Sequence, residues 1–166
     1  MWILRLSALL SILFSGLIAG FFYAWVCSTM WGLDTLPPDA AINAMNAMNI
    51  SVRNAVFFPT FFLTPVVLGI SGLIAMFLNF RAAGIAFILA AFIYFAGAFL
   101  PTALINVPMN KALEIVDIPA NIDAAREMWT SYSMRWQFWN QFRAVASGGA
   151  LVIAGWGLLK LPSAAT

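Results

Sequence analysis

The sequence predicts an all-α protein, a transmembrane four-helix bundle with polar helical connections on the non-cytoplasmic side. Three observations predict it. Of the 166 residues, 63% are hydrophobic and 8% are charged, too few charges to hydrate the surface of a soluble domain. The apolar residues gather into four continuous runs, at about 6–26, 56–77, 82–104 and 142–161, each close to the ~20 residues that carry a helix across a hydrocarbon core of about 30 Å. The runs do not alternate apolar and polar as barrel strands do. Lipid offers open backbone groups no partner, so helices are the remaining solution. The length suits one membrane domain, 1–166.

The first run, Leu6 to Val26, follows Arg5. It is long for a signal core and no small-x-small site closes it. Val26 before Cys27 also departs from a lipoprotein signal, so a retained helix ending near Cys27 is expected. The single cysteine allows no internal disulfide. Gly16 and Gly20 make a GxxxG pair on this run. Pro59 and Pro65 fall in the second run, where each removes a backbone donor and can bend the helix. Only Asn79-Phe80-Arg81 joins the second run to the third, which predicts a tight antiparallel pair. Ala82, Ala86 and Ala90 give the third run a small-residue stripe, and Ala144 and Gly148 do so on the fourth. Small residues let helices approach closely in lipid, and packing within this chain is the expected use. The fourth run continues a longer helix that starts before it.

The two longer connections, about 27–55 and 105–141, hold most of the polar residues. In the first, Asp39 after Pro37 and Pro38 is a reasonable N-cap. A helix beyond it sets Asn46, Asn49 and Arg53 on one side and Ala44, Met45, Met48 and Val52 on the other. That amphipathic piece suits the membrane surface or a cap on the bundle. Its amides either face water or line the mouth of a pocket.

Charge placement predicts orientation. Arg5, Arg81 and Lys160 stand at one end without neighbouring acids. Asp34, Asp39, Glu114, Asp117, Asp123 and Glu127 stand at the other, together with Lys111 and four arginines. Basic residues in short loops stay cytoplasmic. Both termini are therefore expected in the cytoplasm, in a bacterial inner membrane. No charge falls in the middle of a span, which counts against a pump, an ion-coupled transporter or a voltage sensor. No basic run suggests a nucleic-acid partner. The chain has no histidine, so the commonest metal ligand and the usual proton shuttle near neutral pH are missing. No metal and no other cofactor is expected.

The richest chemistry lies in the second connection. Asn106-Val107-Pro108-Met109-Asn110 closes the third run. At helical spacing Trp129, Trp136, Asn140, Arg143 and Ser147 then share one stripe, with Tyr132 and Trp139 beside it. A guanidinium at the edge of a buried span needs partners. Asparagine carbonyls or a ligand oxygen would serve. A membrane-interface belt of Trp and Tyr with a snorkelling Arg is the alternative.

The Asn106–Asn110 turn and the Trp-rich stretch ending in Trp139-Asn140-Gln141-Phe142-Arg143 resemble a family of small four-span membrane proteins once grouped as a domain of unknown function. That family includes the anthrone oxygenases of aromatic polyketide pathways. Gly16, Gly20, Phe22 and Trp25, and the Ala41–Asn46 segment, fit it too. The resemblance implies an oxygenase that turns an anthrone into an anthraquinone with O2 and neither metal nor flavin. It implies that Trp129, Trp136 and Trp139 stack on a flat aromatic, with Asn46, Asn49 and Arg53 also contacting it. Arg143, Asn140, Asn106 and Asn110 would donate hydrogen bonds to the developing oxyanion. Glu127 and Glu114 are candidate bases only by default. The other reading is non-enzymatic: an accessory subunit of a larger membrane complex, or a lipid- or quinone-binding protein. Convergence of the Trp129–Arg143 face with Asn106 and Asn110 on an empty pocket separates the two.

Overall fold

The computed structural model describes residues 1–162 and is all-helical among them. Four helices are long and apolar enough to cross a membrane: α1 (Trp2–Asp34), α3 (Phe57–Phe77), α4 (Arg81–Glu114) and α5 (Ile122–Leu159). A shorter α2 (Pro38–Ser51) joins the first two. The chain is thus a multi-pass helical bundle. α1 packs between α3 and α5, and α4 closes the square against the same two helices. A hydrogen bond from Arg5 to the Pro162 carbonyl (2.9 Å) holds the two ends of the chain together.

The helices outrun the apolar stretches. α5 has 38 residues, about 57 Å at 1.5 Å per residue, so nearly half of it stands clear of a 30 Å core. Cys27, expected near the end of a helix, instead lies exposed inside a π turn, Trp25–Thr29, through which α1 continues. Pro37 rather than Asp39 precedes α2, and Asp39 falls in its first turn. There a carboxylate complements the helix dipole without capping the backbone.

Two apolar clusters stack along the bundle. The lower includes Leu4, Ile18, Phe22, Phe61, Phe87, Tyr94 and Ala154. The upper includes Met30, Ile42, Met45, Leu113, Trp129 and Trp136, and gathers the top of α1, α2 and the far halves of α4 and α5.

Close helix approach uses Ala86 of the predicted stripe but otherwise falls at residues that the motifs did not name. A Cβ on Gly72 would lie 2.6 Å from Ile88 Cγ1, and one on Gly84 2.6 Å from Met76 Cγ, so these glycines draw α3 and α4 together. Gly97 against Ala146 and Gly157 against Ala86 do the same for α4 and α5. Gly16, Gly20 and Gly148 meet nothing within 4 Å. Spacing cannot say which way a small residue faces, and these three face open space.

Proline leaves visible compensation. Pro65 has no N–H to offer the Phe61 carbonyl one turn earlier. The buried Tyr94 hydroxyl donates to that carbonyl instead, at 2.9 Å. Around Pro101, α4 passes through two π turns, Phe95–Phe99 and Thr102–Asn106, a common local answer to a broken hydrogen-bond ladder. The α3–α4 turn closes with Asn79 at φ 64°. Phe80 N–H bonds to the Ala75 carbonyl and Asn79 N–H to that of Met76, the paired bonds of a Schellman end.

Candidate functional site

The sequence-predicted stripe meets the polar turn of α4 where the two apolar clusters adjoin. Counted back from Leu159, Arg143 lies about 24 Å along α5. A hydrocarbon core of about 30 Å that began at Leu159 would end little more than a turn beyond Arg143, and only 4% of that residue is exposed. The guanidinium donates to Thr102 Oγ1 at 3.0 Å and to Asn140 Oδ1 at 3.0 Å. Its carbon sits 4.6 Å from the centre of the Phe22 ring and 5.2 Å from that of Trp136, within cation–π range. The ion pairs among the described residues are Arg53–Glu114 and Arg126–Asp123. Arg143 therefore has no carboxylate counter-ion, and its Nε–H has no partner among the described residues.

The asparagines around it are held by secondary contacts. Asn140 donates to the Phe22 carbonyl at 3.1 Å, which ties α5 to α1. Asn106 donates at 3.5 Å to the Trp136 carbonyl, and its Oδ1 is buried without a partner. Asn110 is a junction: its Oδ1 accepts from Tyr132 (2.8 Å) and Trp136 Nε1 (2.9 Å), and its amide donates to Asn49 Oδ1 at 2.8 Å. The Asn49 amide nitrogen is in turn unpartnered.

These groups surround a cavity of about 150 Å3. Arg143, Asn140, Asn106, Asn110, Asn49, Arg53 and Trp136 line its polar side; Phe21, Trp25 and the phenylalanines of the first turns of α3 line the rest. Three of the six buried side-chain polar atoms without a partner among the described residues belong to lining residues, two donors and one acceptor: Arg143 Nε, Asn49 Nδ2 and Asn106 Oδ1. An engineered apolar cavity of similar size holds one benzene ring. The polar half of this one adds hydrogen-bonding groups to a space of that size.

The structure places the remaining candidates elsewhere. Trp129 packs in the upper cluster and donates to Asp34 Oδ1 at 3.0 Å. Trp139 is half-buried and sits edge-on against Phe138 and Phe142. Asn46 donates to the Leu113 carbonyl at 3.4 Å. None of the three lines the cavity. Glu114 pairs with Arg53 at 3.3 Å, and Glu127 is exposed; neither lines the cavity, and no other carboxylate does. Among the described residues no group of three or more His, Cys, Asp or Glu side chains converges as a metal site.

Sequence reasoning missed Thr102, Phe21, Phe57 and Phe61. Thr102 was findable: Pro101 interrupts an apolar run just before it, and the π turn that follows sets its hydroxyl between the Ala98 carbonyl (2.8 Å) and Arg143. The phenylalanines carried no signal, since they are spread among fifteen in the chain. Asp34 was also passed over. Its carboxylate accepts from Trp129, Ser133 (2.7 Å) and Gln137 (2.9 Å), clamping the top of α1 to α5.

Fold and cavity together define a helical membrane protein with a buried cation and amides at one end of an aromatic-lined pocket. The anthrone oxygenase family model matches residues 52–153, more than half of the chain, and the chain belongs to that family. The matched segment contains Arg53, Asn106, Asn110, Trp136, Asn140 and Arg143; Phe21, Trp25 and Asn49 lie before it. No curated protein and no solved structure matches the chain.

Proposed function

We propose that this protein is a membrane-embedded, cofactor-independent oxygenase-like enzyme that binds an acidic flat aromatic of the anthrone type and holds its anion for reaction with O2. One observation carries the proposal: Arg143 is a buried cation with no carboxylate partner among the described residues, and it lines an aromatic-walled cavity. A charge in that position is costly to bury alone, and an anionic ligand supplies what it lacks. The same charge favours the ionised form of a bound carbon acid, because an adjacent opposite charge lowers a pKa.

The chemistry then needs little else from the protein. Loss of the proton at the carbon opposite the carbonyl leaves an enolate with its charge on the oxygen held at Arg143. The enolate passes one electron to O2, and the resulting radical and superoxide combine at that carbon. With a proton this gives a hydroperoxide. The O–O bond breaks as the remaining C–H is lost, leaving a second carbonyl and releasing water. Anthrone and O2 thus become anthraquinone and water, with one oxygen atom kept. Because the cavity holds no carboxylate, the first proton leaves to water at the polar mouth by Arg53, and Arg143 supplies the driving force by stabilising the anion. The cavity takes the oxygen-bearing edge of the tricycle, against Trp136 and the phenylalanines, and the rest of the fused rings reaches out past Phe21 and Phe57.

The test is anthrone oxidation by the purified protein in lipid nanodiscs, with quinone formation and O2 uptake followed together against protein-free discs. Equal consumption of anthrone and O2, faster than the spontaneous reaction and unchanged by metal chelators, is expected. No acceleration would sink the enzymatic proposal. Tight binding of the quinone with no turnover would instead favour the quinone-binding alternative.

A further inference from the structure

The geometry points to a second part of the ligand site: a groove between α1 and α3, open to the bilayer, that takes an apolar chain carried by the aromatic ring in the cavity. The inference rests on the cavity beside Arg143 being the site of an oxygen-bearing ring.

The groove encloses about 430 Å3, nearly three times the cavity, and is lined by residues that include Leu17, Ile18, Met48 and Val56. Phe21, Trp25, Val52 and Phe57 wall both spaces. The Phe21 and Phe57 rings, 4.8 Å apart, stand at the partition. Leu17 lies one helical turn, about 6 Å, from Phe21 towards the bundle centre, so the groove descends into the hydrocarbon region.

The two spaces differ in what they can recognise. The serine, threonine and asparagine side chains along the groove already bond to nearby backbone. Ser51 donates to the Met48 carbonyl, and Thr60 to that of Phe57. Asn54 donates to the Ser51 carbonyl and accepts from the N–H groups of Val56 and Phe57. None of the buried side-chain polar atoms left without a partner among the described residues belongs to a groove residue. The cavity is the reverse: Arg143 Nε, Asn49 Nδ2 and Asn106 Oδ1 are buried without partners. Polar recognition is concentrated in a space that fits one ring, and the larger adjoining space is apolar. A ligand complementary to both has an oxygenated aromatic head and a linear apolar tail. Such a molecule dissolves in the bilayer and enters sideways past Phe21 and Phe57, by rotamer changes rather than by crossing water.

The experiment uses 4-nonylphenol carrying a photoactivated diazirine at the far end of its chain, with the full-length protein in phosphatidylcholine nanodiscs. Labelled residues are mapped by mass spectrometry, and 4-methylphenol binding is followed by tryptophan fluorescence. Expected labels fall on Leu17, Thr60 or Met48, and excess 4-methylphenol, which has a head and no tail, removes them. Thr60→Trp fills the groove. It should cut that labelling by roughly tenfold, since added bulk in a fitted space is poorly tolerated, while 4-methylphenol still binds. Labels that 4-methylphenol does not displace would mean that lipid chains alone occupy the groove, and would overturn the inference. Labels on Arg53 or Phe58 would place the tail at the polar mouth and overturn it also, while leaving the head site intact. Failure of 4-methylphenol itself to bind would remove the head site, and with it both proposals.

Discussion

Replacing Arg143 by Met separates a ligand-holding charge from a structural strut. The guanidinium makes two charge-assisted hydrogen bonds, to Thr102 and Asn140, each at 3.0 Å. Such bonds contribute about 1.5–3 kcal/mol each, and its two ring contacts contribute roughly 0.5–2 kcal/mol each. Against this stands a desolvation cost of several kcal/mol for an ion buried without a counter-charge. The terms nearly cancel. Arg143→Met should therefore leave stability within about 1 kcal/mol, the more so because Thr102 keeps its bond to the Ala98 carbonyl. Binding of an anion is another matter. Removing one partner of a buried pair costs about 3–5 kcal/mol, which is roughly two to four orders of magnitude in affinity or rate. Arg143→Lys keeps the charge and loses the planar fork that reaches Thr102 and Asn140 at once. It should fall between wild type and Arg143→Met while the fold survives. The assay pairs anthrone oxidation with thermal unfolding in the same nanodiscs. Full activity in Arg143→Met would refute the charge argument. A loss of about 3 kcal/mol of stability in step with activity would show instead that Arg143 ties α4 to α5.

Asn110→Leu strands the Tyr132 hydroxyl, the Trp136 Nε1–H and the Asn49 carbonyl oxygen together, and should cost roughly 2–4 kcal/mol, read by thermal unfolding; a change below 0.5 kcal/mol would deny the junction its role. Tyr94→Phe should cost about 1 kcal/mol by leaving the Phe61 carbonyl unpaired, and less in a Pro65→Ala background, where the restored N–H can reach that carbonyl. Strict additivity in that double-mutant cycle would contradict the compensation. Cysteines engineered at Asp117 and Arg81 lie at opposite ends of the bundle. If both termini are cytoplasmic, an impermeant thiol reagent applied outside intact cells labels the first and spares the second; the reverse pattern inverts the orientation.

The bundle was legible in the sequence because lipid imposes it. Continuous apolar runs allow little but helices, and the three-residue link at Asn79 allows little but an antiparallel pair. Helix ends and contacts were less legible. Trp25–Thr29 and Thr102–Asn106 carry helices past the points where apolarity fades, and hydrophobicity does not record hydrogen bonding. Gly16 and Gly20 matched a packing motif yet face nothing within 4 Å, while Gly72 and Gly97, outside any motif, set the closest approaches. For the site, helical spacing placed Trp136, Asn140 and Arg143 on one face, and the cavity gathers all three with Asn106 and Asn110. The same spacing included Trp129, which Asp34 draws into the upper cluster. Periodicity names the residues that share a face. It cannot say where along that face one packed layer ends and the next begins.

That boundary explains why the cavity sits where it does. Below it, small residues and aromatic rings bring α3, α4 and α5 into contact through Gly72, Gly84 and Gly97. Above it, α2 and the extension of α1 pack against the far half of α5, with Asp34 fastening them. The two layers have different helix partners, and Arg143 stands at the seam between them, over Phe22 of the lower and Trp136 of the upper. Both halves of the proposed chemistry need that depth. O2 and an apolar aromatic concentrate in the hydrocarbon, whereas an enolate needs a fixed cation and a route for its proton to water. Deeper in the bundle the cation would have no polar mouth beside it; further out, water would screen its field and weaken its hold on the anion. On this argument the value of Arg143 lies in its position along α5, and moving the cation one turn towards Leu159, as in Arg143→Met with Ser147→Arg, should fail to restore turnover even though the charge is regained.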